Sequence, residues 1–345
     1  MAQIKERGNP LGAQSVRLLI LLWATIYGLP QSRSDLVRYE DSRVSMACTY
    51  SIVVYGSDES QLRQIVNDAF DEVDRIDRLM SHYKKDSPLS QINREAAHHP
   101  VKTDPELYSF LLECVRYSRA SQGAFDITVG PLMKVWGFFR GEGKMPGDVE
   151  LKKIRQTIGY QHLIFNVQEK TIAFDRAGVE LDLGGIAKGY AVDQVVTLLK
   201  SRGIASALIS AGGSTLYALG SPPDRDCWEV EIQDPTNARK VARTVQLKDQ
   251  SLSVSGSAEK FFEFNGQRYS HIMDPRTGRP VQGVLSVAVI TETGTAGDAL
   301  DNVFYVQGVA RSRKYLQQLS DTEVFFFLPD KASPWKLVHL KKYKR

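Results

Sequence analysis

Cysteine is scarce in this chain of 345 residues: Cys48, Cys114 and Cys227 stand far apart and are odd in number. No Cys-x-x-Cys or His-Glu-x-x-His occurs, which argues against a structural zinc site and against a disulfide framework. Buried, inert thiols are the expectation for all three. An excess of charge of one sign is missing too. The chain has 44 Lys and Arg against 40 Asp and Glu, a net +4, which fits a solvated mixed-charge surface better than a nucleic-acid-binding face. Repeats, low-complexity tracts and long linkers do not occur. Beyond one N-terminal run, no stretch approaches the about 20 apolar residues of a membrane span. What remains is ordinary globular material, 42% hydrophobic and 24% charged, enough for a full core in one large domain or two small ones.

The exceptional run is Leu18 to Leu29, LLILLWATIYGL, preceded by Lys5, Arg7 and Arg17. Twelve residues match the core of a signal peptide and fall short of a span. No small-x-small cleavage site follows cleanly, and no cysteine stands just after the run to take a lipid. Residues 1–34 therefore read as a signal peptide or a retained N-terminal membrane anchor, followed by a single catalytic domain over 35–345.

After that segment the pattern alternates between helix and strand. Ser45 to Tyr55 reads as a strand ending at Gly56, and Leu62 to Leu79 repeats apolar residues at helical spacing. Thr103 and Glu106 read as a capping box with Pro105 in the first turn, and Gly123 lies past that helix's end. A further helix is expected from near Gly185 to Gly203. Strand-like runs follow at Ala205–Ser210, Ser214–Leu219, Trp228–Gln233, Ser251–Ser255 and Leu285–Thr291. Asn265-Gly266 marks a hairpin between Phe261–Phe264 and Gln267–His271, and Gly297 to Gln307 reads as a helix. One compact α+β unit is the simplest account.

Three segments carry candidate chemistry. VELDLGGIAKGYAVD (Val179–Asp193) passes from a strand end through two glycines into a helix, where backbone and helix start could meet a phosphate and Lys188 could reach it. It is neither a Walker loop nor GxGxxG, and a plain strand-to-helix turn fits as well. SHIMDPRTGRPV (Ser270–Val281) mixes turn residues with His271, which could act as a general base or simply sit in the core. GDALDNVF (Gly297–Phe304) places Asp298, Asp301 and Asn302 on neighbouring helix faces. Their oxygens suit a hard cation such as magnesium, although acidic residues also favour any helix start.

In sequence order, GAFDITVGPL, LDLGGIAKGYAVD, SAGGS, SVSGS, HIMDPRTG and GDALDNVFYVQG, opened by SMACTYSIVVYG and YKKDSPLSQIN, resemble the ApbE family of FAD:protein FMN transferases. The likeness runs from about residue 45 to 310. It implies an α+β catalytic domain that moves the FMN half of FAD, its substrate, onto a Thr or Ser hydroxyl of an acceptor flavoprotein of the cell envelope, with Mg2+ bound and AMP released. Met46, Tyr83, Ala124, Phe125, Asp126, Asp182, Lys188 and Ile272 match the family's FAD-binding positions. Gly185, through its carbonyl, and Asp298 match its metal ligands.

Two positions depart from the family. Asn302 replaces a threonine, so its side-chain carbonyl, or Asp301 beside it, is expected to complete the metal site. Near the start, Met46-Ala47-Cys48 replaces Met-Gly-Thr. His271 is the candidate base for the acceptor hydroxyl, with Asp126 in reserve. A FAD pyrophosphatase and a non-catalytic flavin binder are the competing readings; Asn302 is the feature that feeds the second. The family's acceptors place the domain on the periplasmic side of the bacterial inner membrane.

Overall fold

The computed structural model describes residues 36–342; the expected signal or anchor over 1–34 lies outside them. Among the described residues, the largest element is an eight-stranded sheet. Its strands are β1 (Val37–Ser45), β2 (Cys48–Gly56), β3 (Ala207–Ala211), β4 (Thr215–Leu219), β5 (Gln250–Gly256), β6 (Ser286–Thr291), β7 (Glu323–Leu328) and β8 (Lys336–Lys341). They lie side by side in chain order and every neighbouring pair is antiparallel. The sheet is thus an up-and-down meander, and everything else is inserted between its strands. Four long helices belong to those insertions: α1 (Glu59–Met80), α2 (Pro105–Ala120), α3 (Ala187–Ser201) and α4 (Gly294–Leu316).

Period-two alternation divides the sheet into two buried faces. Ile52, Val54, Ile209, Val287, Val289, Val324 and Phe326 point into the core shared with the long helices. Val53, Leu208, Leu216, Leu252, Ala288, Phe325 and Phe327 point the other way, onto Trp228, Val230 and Ile232 of a hairpin formed by Trp228–Asp234 and Asn237–Leu247. Both faces being covered explains why β6 and β7 read as continuous apolar runs and not as alternating strands.

The helices mostly follow the sequence expectation, with local differences. α1 buries the face beginning at Leu62 and Ile65, and Asp58 caps it by accepting from the Ser60 and Gln61 N–H groups. α2 is capped by Asp104, which accepts from Glu106 and Leu107. Thr103 turns its hydroxyl onto the Val101 carbonyl, so the capping box centred on Thr103 does not form. α4 starts at Gly294 behind the Thr293 cap and runs to Leu316, longer than expected, with a break at Gly308 where φ is 65°.

Most of the expected strand Ser45–Tyr55 is β2, the second arm of a hairpin with β1. Met46 and Ala47 form its turn at φ 49° and 58°, the left-handed pair that a tight two-residue hairpin turn requires. β1 before it escaped notice because only Tyr39 and Ser45 of its nine residues are buried, which leaves no apolar alternation to read. Cys114 alone is a fully buried thiol, whereas Cys48 and Cys227 are half-buried; all three are free. No helix among the described residues is long and apolar enough to cross a membrane.

Candidate active site

The glycine turn, α3, α4 and the edge-on ends of β4 and β5 meet at one place. α3 and α4 cross at Gly189 and Gly294, where backbone touches backbone: a Cβ on Gly189 would lie 2.1 Å from the Gly294 carbonyl oxygen. Asp193, one turn further along α3, accepts from the Gly294 and Thr295 N–H groups at 2.7 and 2.8 Å and so also caps α4. This crossing sets the first turn of α3 against Asp298 of α4. Gly189 N–H donates to Asp298 Oδ2 at 2.7 Å, and the Thr215 hydroxyl donates to Oδ1. The anion seated at this helix start is therefore the protein's own carboxylate, a more specific use of the turn than the phosphate cradle expected from its glycines.

Lys188 donates to the Ser214 hydroxyl in the Gly212-Gly213 turn between β3 and β4. Burial pulls its ammonium down, but the carboxylates of Asp298 and then Glu259 outweigh burial, and it stays charged above the usual lysine value. Burial pushes the Asp298 carboxyl up against the opposing pull of Lys188, Thr215 and the Gly189 N–H. Asp301 is pushed well up, first by burial and then by Asp298. Two buried carboxyl groups thus share one neighbouring ammonium, leaving a place where one more positive charge is favourable.

Asn302 turns its amide nitrogen toward three oxygens: Asp298 O at 2.8 Å, Asp301 Oδ1 at 2.9 Å and Gly185 O at 3.3 Å. Gly185, Asp298 and Asn302, the expected metal set, are thereby brought together. Their donors are all oxygens apart from that amide nitrogen, and oxygen donors around surplus negative charge fit a hard divalent cation.

His271 follows the hairpin Phe261–Phe264/Gln267–Ser270. Its backbone N–H donates to the Lys260 carbonyl at 3.0 Å, and Nδ1 lies 3.2 Å from the same oxygen. With Nδ1–H donating there, Nε2 carries the lone pair. Burial, and then the positive charges of Lys260 and Lys188, lower the imidazole to about 4 against the helping pull of the Lys260 carbonyl. His271, Lys188 and Glu259 are crowded by protein yet keep accessible surface, as residues lining a deep cleft do.

The remaining expected residues fall into two groups. Asp182 opens the glycine turn, accepts from Gly184 N–H at 2.8 Å, and stands 3.6 Å from His82 Nδ1. His82 packs on Tyr83, which is 59% exposed and stacks on Phe139 at 5.0 Å. An open cavity of about 220 Å³ lies beside them, lined by His82, Asn93, Lys134, Phe139 and Asp182. This aromatic wall with an acidic neighbour is shaped for a flat ring system.

Met46, in the β1–β2 turn, accepts a hydrogen bond from the buried Tyr50 hydroxyl at its sulfur, at 3.2 Å. Ala124, Phe125 and Ile272 are buried, Phe125 packing toward Gly185. Asp126 is buried, and its two oxygens accept from Thr128 N–H and hydroxyl and from Tyr160 N–H. It ties two loops together, and all of its described partners are structural. Both of its oxygens already accept hydrogen bonds.

Residues that were given no role in the sequence reading complete the site. Thr215, Ser253, Ser255 and Glu259 stand around Asp298 and Asp301. The serines had a signal: SLSVS puts a hydroxyl at every second position of β5, on the face turned to α4.

Residues 46–326 match the family described as the ApbE family, and the chain belongs to it. It is similar to the FAD:protein FMN transferases of Treponema pallidum, 32% identical with 79% of each chain covered, and of Vibrio cholerae, 34% identical with 70% of this chain and 73% of the relative covered. Its fold is similar to the crystal structure of the ApbE protein from Thermotoga maritima, with a TM-score of 0.78 and 29% identity over 85% of this chain and 94% of that one.

Proposed function

We propose that the protein is a FAD:protein FMN transferase. It joins the FMN phosphate of FAD to a Thr or Ser hydroxyl of an acceptor protein and releases AMP. The observation that supports this reading is that the family's motif segments bring Lys188, Asp298 and the Gly185 carbonyl together at the α3–α4 crossing, with His271 close enough to Lys188 to feel its charge. A bond forms between the acceptor oxygen and the FMN phosphorus while the bond to the bridging oxygen breaks, and AMP leaves with that oxygen. The acceptor's hydroxyl proton goes to His271 Nε2, which is unprotonated because Nδ1–H is held by Lys260 O. Lys188 offsets negative charge gathering on the phosphate oxygens, and Ser214 holds it in place. The Tyr83–Phe139 wall and Asp182 orient the flavin nucleotide.

The reaction is assisted by magnesium, which Asp298, the Gly185 carbonyl and Asn302, after a turn of its amide, would hold; bound there it supplies Lewis-acid stabilisation of phosphate charge. The acceptor is a flavoprotein of the cell envelope, and the protein works on the periplasmic side of the inner membrane, exported or anchored by residues 1–34. Support for that place comes from the basic and apolar pattern of the N-terminal sequence and from the family likeness. Incubation with FAD and magnesium, with and without acceptor, tests the reading. AMP released only with acceptor, with flavin fluorescence fixed to the acceptor band on a denaturing gel, is the expected result. AMP without acceptor indicates a pyrophosphatase, and no AMP a binding protein.

A further inference from the structure

We infer that Phe138 is a positioning residue for the His271 imidazole, and that the turn it shares with Phe139 ties the base to the flavin wall. The inference rests on the transferase reading above and adds to it a side chain that acts only through the base.

Phe138–Arg140 is a single 3-10 turn with a left-handed glycine at each end, Gly137 at φ 77° and Gly141 at φ 73°. At three residues per turn, neighbouring side chains diverge by about 120°, so the two consecutive aromatics face different ways. Phe138 turns inward and is buried. Its ring lies 6.4 Å from the His271 imidazole, edge-on at 65°, and 5.7 Å from Phe262. Phe139 is half-buried and lies 5.0 Å from Tyr83 and 5.7 Å from His82, with Lys134 Nζ 5.4 Å from its ring centre. One residue therefore touches the base and the next touches the wall on which the flavin is oriented.

The turn is firmly seated. A Cβ on Gly137 would lie 2.9 Å from Lys144 N, and Lys144 N–H donates to the Trp136 carbonyl at 2.9 Å. The buried Trp136 indole donates to the Gly278 carbonyl at 2.8 Å, in the segment that carries His271, and stacks on Tyr269 at 5.9 Å. Against this frame the imidazole is held twice. The Lys260 carbonyl fixes the direction of Nδ1, but one hydrogen bond leaves the ring free to swing about its axis. Phe138 blocks that swing, and an aromatic contact of this kind contributes about 0.5–1.5 kcal/mol beyond its area. It also fills space from which water would reach the ring, while Lys260 and Lys188 are the charged groups that bear on it. A base held at two points has little freedom left to lose when the acceptor hydroxyl arrives.

The test uses the full-length protein with FAD, magnesium and acceptor. AMP release gives kcat, KM for FAD and the pH profile, and NMR on the same chain without FAD gives the His271 titration. Phe138→Leu keeps an apolar side chain and removes the ring. It should lower kcat by about tenfold or more while KM for FAD stays within about twofold. The acid limb of kcat/KM and the His271 titration should both move up toward the ordinary value near 6.5. Phe139→Leu should do the reverse, raising KM for FAD by about 2-fold to 10-fold and leaving the acid limb and the titration in place. A merely structural Phe138 would lower Tm and leave kcat and the His271 titration unchanged; that result overturns the inference. A loss in Phe138→Leu that falls on KM and not on kcat overturns it as well. No AMP release by wild type would sink the transferase reading itself, and the inference with it.

Discussion

At the scale of single residues, His271 and Asp298 both act in their deprotonated forms, and burial shifts them in opposite directions. The imidazole is depressed to about 4, so its base form is already present at neutral pH. If it accepts the hydroxyl proton, kcat/KM for transfer should stay level down to about pH 5 and fall as pH drops through the depressed pKa. The usual histidine limb near 6.5 should be missing. His271→Asn should lower kcat by roughly 100-fold to 10,000-fold with little change in FAD affinity, measured by flavin fluorescence; an unchanged kcat would end its role as base. Asp298 combines catalytic and structural duties, so its variants should separate them. Asp298→Asn keeps the size of the side chain and should abolish AMP release. Asp298→Ala should do the same and additionally cost about 1–3 kcal/mol in urea unfolding, because Gly189 N–H and the Thr215 hydroxyl lose their acceptor. The motif residues Gly185, Lys188, Asp298 and His271 were legible because the ordered family motifs carry them; Lys188, Asp298 and His271 also stand out by type in a turn or near a helix start. Glu259 was not, since a carboxylate in a loop has no pattern until the fold supplies its neighbour.

At the scale of elements, the α3–α4 crossing is the part on which the site depends. Gly189 leaves no room for a side chain against Gly294 O, so Gly189→Ala must push the helices apart. The expected loss is about 3 kcal/mol or more, beyond ordinary overpacking because backbone has to move, and Mg2+ or FAD affinity should fall along with stability. A variant with wild-type Tm and wild-type ligand affinity would show that the crossing is looser than described here. Asp193→Ala removes the carboxylate that receives the first N–H groups of α4 and should cost about 1–2 kcal/mol. Helix existence was legible from apolar spacing, as α1, α2 and α3 show. Helix starts were less so, because capping depends on side-chain direction: Asp104 and not Thr103 faces the open N–H groups of α2. The β1–β2 hairpin was hidden for a related reason. Its left-handed turn is made by Met46 and Ala47, residue types that give no turn signal.

At the scale of the whole molecule, the described packing begins with β1 at Val37, and every candidate site residue lies after it. Removal of residues 1–34 should therefore leave a folded enzyme with unchanged AMP release in vitro. In cells the same deletion should stop flavinylation of an exported acceptor. Alkaline phosphatase fused after residue 345 reads the location directly, being active only in an oxidising compartment: active on the full chain and inactive on the shortened one is the expected pair. An inactive full-length fusion made at normal levels would refute export. The meander has a further consequence, for the order in which the chain assembles. Most neighbouring strands are close in sequence, but β2 and β3 are separated by residues 57–206, which include all of α1, α2 and α3. Closing a flexible loop of that length costs about 4 kcal/mol of chain entropy, and long-range pairing slows folding. The β2–β3 pair should be the last strand pair to acquire protection in pulsed hydrogen exchange. Met46 and the glycine turns would come into register only at that closing step, so a ribosome-bound chain could finish most of its sheet and still have no cleft to offer a flavin.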